Sequence, residues 1–410
     1  MTLYPLFGKK LEKQPPDAQF RVLITFEDIS NRDKFIEENK DLKNIDTIDF
    51  IPSVYTNLKK EQINNLEKNE LIKQLEEDQK LHFSMLDAIE ILELKSYKNS
   101  HISYKGNSIN VGIIDDGINK GFPSIPNSSH LLDKSKIQQN EISHGTIMAS
   151  IIGNQFKDVD DNYIGIAPNV NLIDFDLSNS NKEYYFSNVL KIFDKISKKN
   201  IDVDILLISL VTKEPSDGKD ILSLACNLFV ERGLIIVSPA GNFGPESYSI
   251  GSPGAAEKVI TIGALTKELT IPNYSGRGPT LDERVKPDLC LPSSDVVVPL
   301  SDNLQVRVTG TSVSASIGVG IIALLKEYDS NISYNEILAI MRKSRTDLDY
   351  NQISQGIGTI KITDIFRNLD LFHEKLVSYN YLIKKSLKVT IEFIVVFLIL
   401  FYIFFFFRLA

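Results

Sequence analysis

NVGIIDDGI, residues 110–118, is a short apolar run that ends abruptly in two carboxylates and a glycine. Such a run suits a strand covered on both faces of a parallel sheet. Outward from it the same rhythm repeats. Helical HGTIMASIIG (144–153) is followed by strand-like VNLIDFDL (170–177), helical SNVLKIFDKISKKN (187–200), strand DILLISL (204–210), helical DILSLACNLFVERG (220–233) and strand LIIVSPA (234–240). Strands alternating with helices in this way predict an α/β fold in three layers around a parallel central sheet. In such sheets sites gather at the carboxyl ends of the strands. Asp115 closes the first strand, and Asn242 follows the last. A further buried helix is expected through SVSASIGVGIIALLKEY (312–328), starting at or beside Ser312.

Ahead of this region the pattern changes. RVLITFE (21–27) reads as a strand, about 32–39 as a polar helix and 45–55 as a second strand. LKKEQINNLEKN (58–69) places Leu58, Ile63 and Leu66 at helical spacing, and LIKQLEEDQKL (71–81) reads as a last strand or extended tail. This β-α-β-α-β order predicts a small α+β domain of split-βαβ kind over residues 20–82. Residues 1–19, with Pro15 and Pro16 among scattered charges, read as a loose leader of unclear role. The acidic stretch FSMLDAIEILELKSY (83–97) opens the larger domain, expected over 83–375.

The chain has 410 residues, 43% of them apolar and 24% charged, with a net charge of -8. That balance gives no electrostatic reason to expect a nucleic-acid partner. Cys226 and Cys290 are the two cysteines, without metal-ligand spacing, so a zinc centre is not expected and a disulfide stays open. No apolar run of secretory length opens the sequence. VTIEFIVVFLILFYIFFFF (389–407) carries one charge, Glu392. At about 1.5 Å per residue it matches a hydrocarbon core of about 30 Å, which predicts a transmembrane helix acting as a single-pass C-terminal anchor. A hairpin or interfacial segment, or an apolar partner-binding helix, is the competing reading. Residues 376–388 would be a basic juxtamembrane linker. Lys384, Lys385 and Lys388 before the run, against Arg408 after it, place the large domain on the cytoplasmic side.

The candidate chemistry lies in VGIIDDGI (111–118), SHGTIMAS (143–150), SPAGNFG (238–244) and GTSVSAS (310–316). Taken singly these are ordinary: an Asx turn, a helix-start histidine, a turn after a strand and a helix N-cap. Together, in this order, they resemble the motifs of the subtilisin-like serine peptidase (subtilase) family. The resemblance implies a serine endopeptidase that acts through an acyl-enzyme, with Asp115, His144 and Ser312 as triad and Asn242 as oxyanion donor. It implies a polypeptide substrate held by Ser209, Leu210, Val211, Gly241 and Gly310. An esterase elbow, G-x-S-x-G with the serine first, does not fit this order. Four departures stand out: Val211 where the family has glycine, Ile147 where it usually has a second histidine, and Val313 with Ser316 where it has methionine and proline.

KKEQINNLEKNELIKQLEED (59–78) resembles the family's inhibitory pro-region, which implies a zymogen whose own N-terminal domain is an intramolecular inhibitor, released near residues 79–83. No cofactor is required for the chemistry. Structural calcium is common in the family but is not assignable here, and DVDDN (158–162) reads as a solvated acidic loop. Against the enzyme stands a catalytically silent, membrane-tethered peptide-binding or regulatory protein, which would betray itself by a lost triad or oxyanion residue.

Overall fold

The computed structural model describes residues 2–40, 42, 45–66, 69–83, 104–125, 128–130, 142–156, 165–178, 183–301 and 304–369. The chain opens with a five-stranded sheet made of β1 (Thr2–Leu3), β2 (Gln19–Phe26), β3 (Asp46–Ile48), β4 (Ser53–Lys59) and β5 (Ile72–Glu77). Their order is β1-β5-β2-β4-β3. β1 runs parallel to β5, and the other pairs are antiparallel. Alternation along β2 divides its side chains between two cores. Val22, Ile24 and Phe26 join Phe7, Phe35 and Ile63 from the covering helices Pro5–Glu12, Ile29–Glu38 and Lys60–Leu66. Leu23 turns the other way, with Ile48 and Tyr55, onto the rest of the protein.

Two details differ from the sequence reading. The stretch read as a loose leader forms β1 and the helix Pro5–Glu12, because Phe7 and Leu11, four residues apart, supply an apolar face that the sheet covers. The strand expected over 45–55 is two strands, β3 and β4, paired in register Asp46 to Tyr55 and Ile48 to Ser53 around the turn between them.

After β6 (Lys80–Phe83) comes the central sheet. β7 (Asn110–Asp115), β8 (Ser128–His130), β9 (Asn171–Asp176), β11 (Ile205–Ile208), β13 (Ile235–Pro239), β14 (Ile260–Leu265) and β15 (Leu289–Pro292) lie in the order β15-β14-β13-β11-β7-β9-β8. All six pairings are parallel. Two short strands, β10 (Tyr184–Tyr185) and β12 (Leu210–Val211), stand outside it. Helices His144–Gly153, Thr311–Tyr328 and Tyr334–Lys343 share one core with Val111, Ile113, Leu207 and Val237. Helices Phe186–Lys199 and Ile221–Glu231 share another with Ile114, Leu206, Ile208 and Ile236. The fold is therefore α/β with a parallel sheet between helical layers, as the alternation predicted. At Gly112 in β7 the sheet leaves no room for a side chain: a Cβ there would stand 2.7 Å from the Phe175 ring and 2.8 Å from Leu206 Cδ1.

The expected transmembrane helix is corrected. Among the described residues no helix is long and apolar enough to cross a membrane. The longest of them, Thr311–Tyr328, is buried in the core. Residues 376–388 and 389–407, on which the linker and anchor expectations fell, lie outside the described residues. Apolarity and length of a run are necessary for a span, not sufficient. No helix among the described residues therefore supports the membrane as partner, the single-pass localisation or the cytoplasmic placement derived from them.

Candidate active site

Asp115 ends β7, the fifth strand from the β15 edge, and is fully buried. Its carboxylate meets His144 Nδ1 at 2.8 Å from Oδ2 and 3.0 Å from Oδ1, and accepts from the Asp116 amide at 2.7 Å and from the Ser209 hydroxyl. Burial opposes its ionisation, yet the imidazole and these donors hold the carboxyl below the usual carboxylate range. For His144 burial works against the charged ring, and Asp115 overrides it and raises the imidazole above its ordinary value. With Nδ1–H directed at Asp115, Nε2 presents its lone pair to Ser312 Oγ, 3.0 Å away.

His144 is placed by the start of its helix. Ser143 is the N-cap and accepts from the Thr146 amide at 3.2 Å. Asp116 accepts from the Gly145 amide at 2.8 Å and the His144 amide at 3.2 Å, so a second carboxylate sits on the positive helix end. Ser143 Oγ donates to Gly117 O at 2.6 Å, and the Asn119 amide donates to Thr146 Oγ1 at 2.7 Å. Helix start and Asp loop are thereby stitched together. Gly145 permits it: a Cβ would lie 2.6 Å from Gly117 O and 3.0 Å from Asp115 Cβ. Burial and the neighbouring Asp115 charge push Asp116 up to about 7.

Ser312 is the second residue of its helix and is 1% exposed. Gly310, at φ 149°, is the N-cap, a backbone value that favours glycine. Asn242 follows β13 in the loop beside it. Its Oδ1 accepts from the Thr311 amide at 3.0 Å and from Thr311 Oγ1 at 2.9 Å, and since an amide N–H only donates, the side chain's orientation is set. Its Nδ2 is buried and without a hydrogen-bond partner among the described residues. An unpaired buried donor costs about 1–3 kcal/mol, which makes this atom a feature to be explained. Ser316, where the resembling family has proline, donates to Ser312 O at 2.9 Å, and Ile147 is buried in the core.

Of the residues expected to hold substrate, Ser209 lies behind the triad, donating to Ile114 O at 3.0 Å as well as to Asp115. Leu210 and Val211 form β12. Gly241, at φ 93°, lies opposite: a Cβ there would be 3.4 Å from Val211 Cγ2 and 3.3 Å from the Phe243 ring. The groove between β10 and β12 is occupied by β6, paired antiparallel to both, Leu210 with Phe83, Val211 with His82 and Tyr184 with Leu81.

Sequence reasoning missed two groups. Asp174, inside the apolar strand β9, accepts from the Ile118 amide at 3.0 Å beneath the Asp loop and is pushed up to about 8 by burial. An acid flanked on both sides by apolar residues, Ile173 and Phe175, was the available signal. The second group is the hold of the N-terminal domain on two helices. Glu76 accepts from the Ile221 amide at 3.1 Å, and Asp78 from the Ser187 amide at 3.0 Å and the Ser187 hydroxyl at 2.7 Å. Phe50 stacks on Phe229 with ring centroids 4.4 Å apart. Among the described residues no group of three or more His, Cys, Asp or Glu is arranged to hold a metal ion, and residues 158–162 lie outside them. Cys226 and Cys290 are both buried free thiols, which answers the open question of a disulfide.

The model of the subtilase family matches residues 106–359. The chain is 25% identical over 300 residues to serine protease AprX of Bacillus subtilis, covering 64% of this chain and 67% of that protein. It is 24% identical over 276 residues to the major intracellular serine protease of the same organism, covering 63% and 82%. Among solved structures, fervidolysin from Fervidobacterium pennivorans, a keratinolytic enzyme related to subtilisin, superposes with a TM-score of 0.67 at 16% identity. That likeness in fold takes in 87% of this chain, more than residues 106–359 make up, and 62% of fervidolysin, less than two thirds of its length.

Proposed function

The chain belongs to the subtilase family as a subtilisin-like serine endopeptidase, and we propose that Asp115, His144, Ser312 and Asn242 carry its reaction on polypeptides. The carrying observation is the continuous hydrogen-bonded run from Asp115 through both ring nitrogens of His144 to Ser312 Oγ, beside an unpaired Asn242 Nδ2. Ser312 Oγ attacks the peptide carbonyl while His144 Nε2 takes its proton. Asp115 steadies the imidazolium, consistent with the raised ring. The carbonyl oxygen becomes an oxyanion, for which Asn242 Nδ2 is the waiting donor. His144 returns the proton to the leaving amine, and water, deprotonated by the same nitrogen, releases the acyl group. None of the four residues is absent or turned away, so nothing favours a silent binding protein.

We further propose that residues 20–82 are an inhibitory pro-domain of a catalytic domain spanning 83–375, and that the chain cuts itself near residues 79–83. The support is threefold: β6 fills the groove as an added strand, Glu76 and Asp78 sit on two helix N-termini, and a core is shared through Leu23, Ile48 and Tyr55. Ser209, Leu210, Val211, Gly241 and Gly310 would line the substrate path. Val211 stands where the family has glycine, so side-chain preference does not carry over from relatives.

The test is intact mass of the full chain and of Ser312→Ala after incubation. A fragment ending near residues 79–83 in the first and an uncut second chain are expected. Equal cutting of both chains would remove Ser312 from the reaction.

A further inference from the structure

The first twelve residues do more than cover a sheet edge. β1 pairs with β5 in the register Leu3 to Leu75, and the Tyr4 amide donates to Leu75 O at 2.9 Å. That places Tyr4 beside Glu76, the residue gripping the Ile221 amide. Tyr4 is 4% exposed, and its hydroxyl crosses to the other side of the interface to donate to Asp217 Oδ1 at 2.5 Å. Asp217 belongs to a loop built wholly by the catalytic side. Its carbonyl takes the Arg284 guanidinium at 2.9 Å, and neighbouring Ser216 donates to Asp220, the cap of helix Ile221–Glu231. Behind Tyr4, Phe7 meets Phe20 edge to face at 5.5 Å, and Lys10 pairs with Glu77 at 2.7 Å.

We propose that residues 2–12 are a latch that fastens the N-terminal domain to the 215–220 loop of the catalytic domain through the Tyr4 hydroxyl, so holding β6 in the cleft. The inference rests on the inhibitory reading above. The chemistry explains the residue type. Glu76, Asp217 and Asp220 all face this corner, and a partner reaching into it has to bring a donor. A phenol provides one without the desolvation cost of an ammonium. Burial and Asp217 push the phenol well above its ordinary value, so it remains a donor across working pH. The Phe7 and Leu11 side chains anchor the latch's other end in the N-terminal domain's own core.

The test uses the full chain carrying Ser312→Ala, which stays uncut, and reads backbone amide exchange at residues 82–83, 210–211, 187 and 221. Tyr4→Phe keeps the ring and removes the donor. Hydrogen bonds to charged groups typically contribute enough for about tenfold faster exchange at these amides, with helix Thr311–Tyr328 unchanged. Asp217→Ala is expected to match it, Asp217→Asn to retain most of the protection, and the Tyr4→Phe/Asp217→Ala pair to add nothing to either single change. Unchanged exchange in both single variants, or fully additive effects, would overturn the latch. If residues 82–83 already exchange as open chain when Tyr4 is intact, the inhibitory reading beneath it fails instead.

Discussion

At the start of helix His144–Gly153 and at the contact between the two domains, carboxyl groups from outside a helix meet its first amides, and the two places differ in what holds the carboxyl. Asp116 caps helix His144–Gly153 from the adjoining loop, which is itself tied to the helix by Ser143 and Thr146. Glu76 and Asp78 accept from first-turn amides of Ile221–Glu231 and Phe186–Lys199 from a separate sheet with its own core. In both places carboxyl oxygens accept from first-turn amides, while burial holds each carboxyl above its ordinary pKa. In the first place this fixes His144 beside Asp115 within one domain. In the second it makes a contact between domains that, on the proposed self-cleavage, can be let go once the chain between them is cut.

The comparison is sharpened first at the permanent site. Asn242→Ala removes a donor that has no partner among the described residues, so it is expected to lower kcat by about 10²- to 10³-fold with little change in KM, the loss established for subtilisin's own oxyanion asparagine. A matching rise in KM with unchanged kcat in steady-state peptide hydrolysis would place Asn242 in substrate binding.

At the releasable site, Glu76→Ala is expected to speed dissociation of the cut N-terminal domain about tenfold. This contact also has a pH sense. Burial, then the Asp220 charge, raises Glu76 well above its ordinary value in the docked state. Docking therefore takes up protons and weakens as pH rises from the free carboxylate value of about 4.5 upward. Glu76→Gln keeps an acceptor for Ile221 and should flatten that slope. Dissociation followed by tryptophan-free methods such as gel filtration against pH decides it, and an unchanged slope would deny Glu76 the role.

The smallest effect belongs to Asp116. Its pKa is raised to about 7, so the folded protein binds a proton that the unfolded chain gives up between about pH 4 and 7. Over that window this group costs stability as pH rises. Asp116→Asn should remove its share of the slope in thermal unfolding, while activity changes a few-fold through the looser helix start. A steeper slope in the variant would contradict the assignment.

The alternation around NVGIIDDGI made the parallel sheet readable, because a strand covered on both faces has to be apolar throughout. The four site stretches were readable because each needs a short, fixed set of neighbours, such as Gly145 against Gly117. Other features depend on residues distant in sequence. Tyr4 and Asp217 meet across 213 positions, and Glu76 and Ile221 across 145. Asp174 has its role set by the Ile118 amide, 56 positions away in sequence. The leader was misread because its apolar positions are few, and the face they form is completed by a sheet that pattern alone does not locate.

The central claim is that Asp115, His144 and Ser312 act as one unit in a cleft closed by the chain's own N-terminal domain. Fluorophosphonate labelling of the self-cut protein, mapped by peptide mass spectrometry, tests it most directly. A single adduct on Ser312 is expected, lost in His144→Ala and slowed while the N-terminal domain stays bound. An adduct on another serine, or none on folded protein freed of that domain, would contradict it.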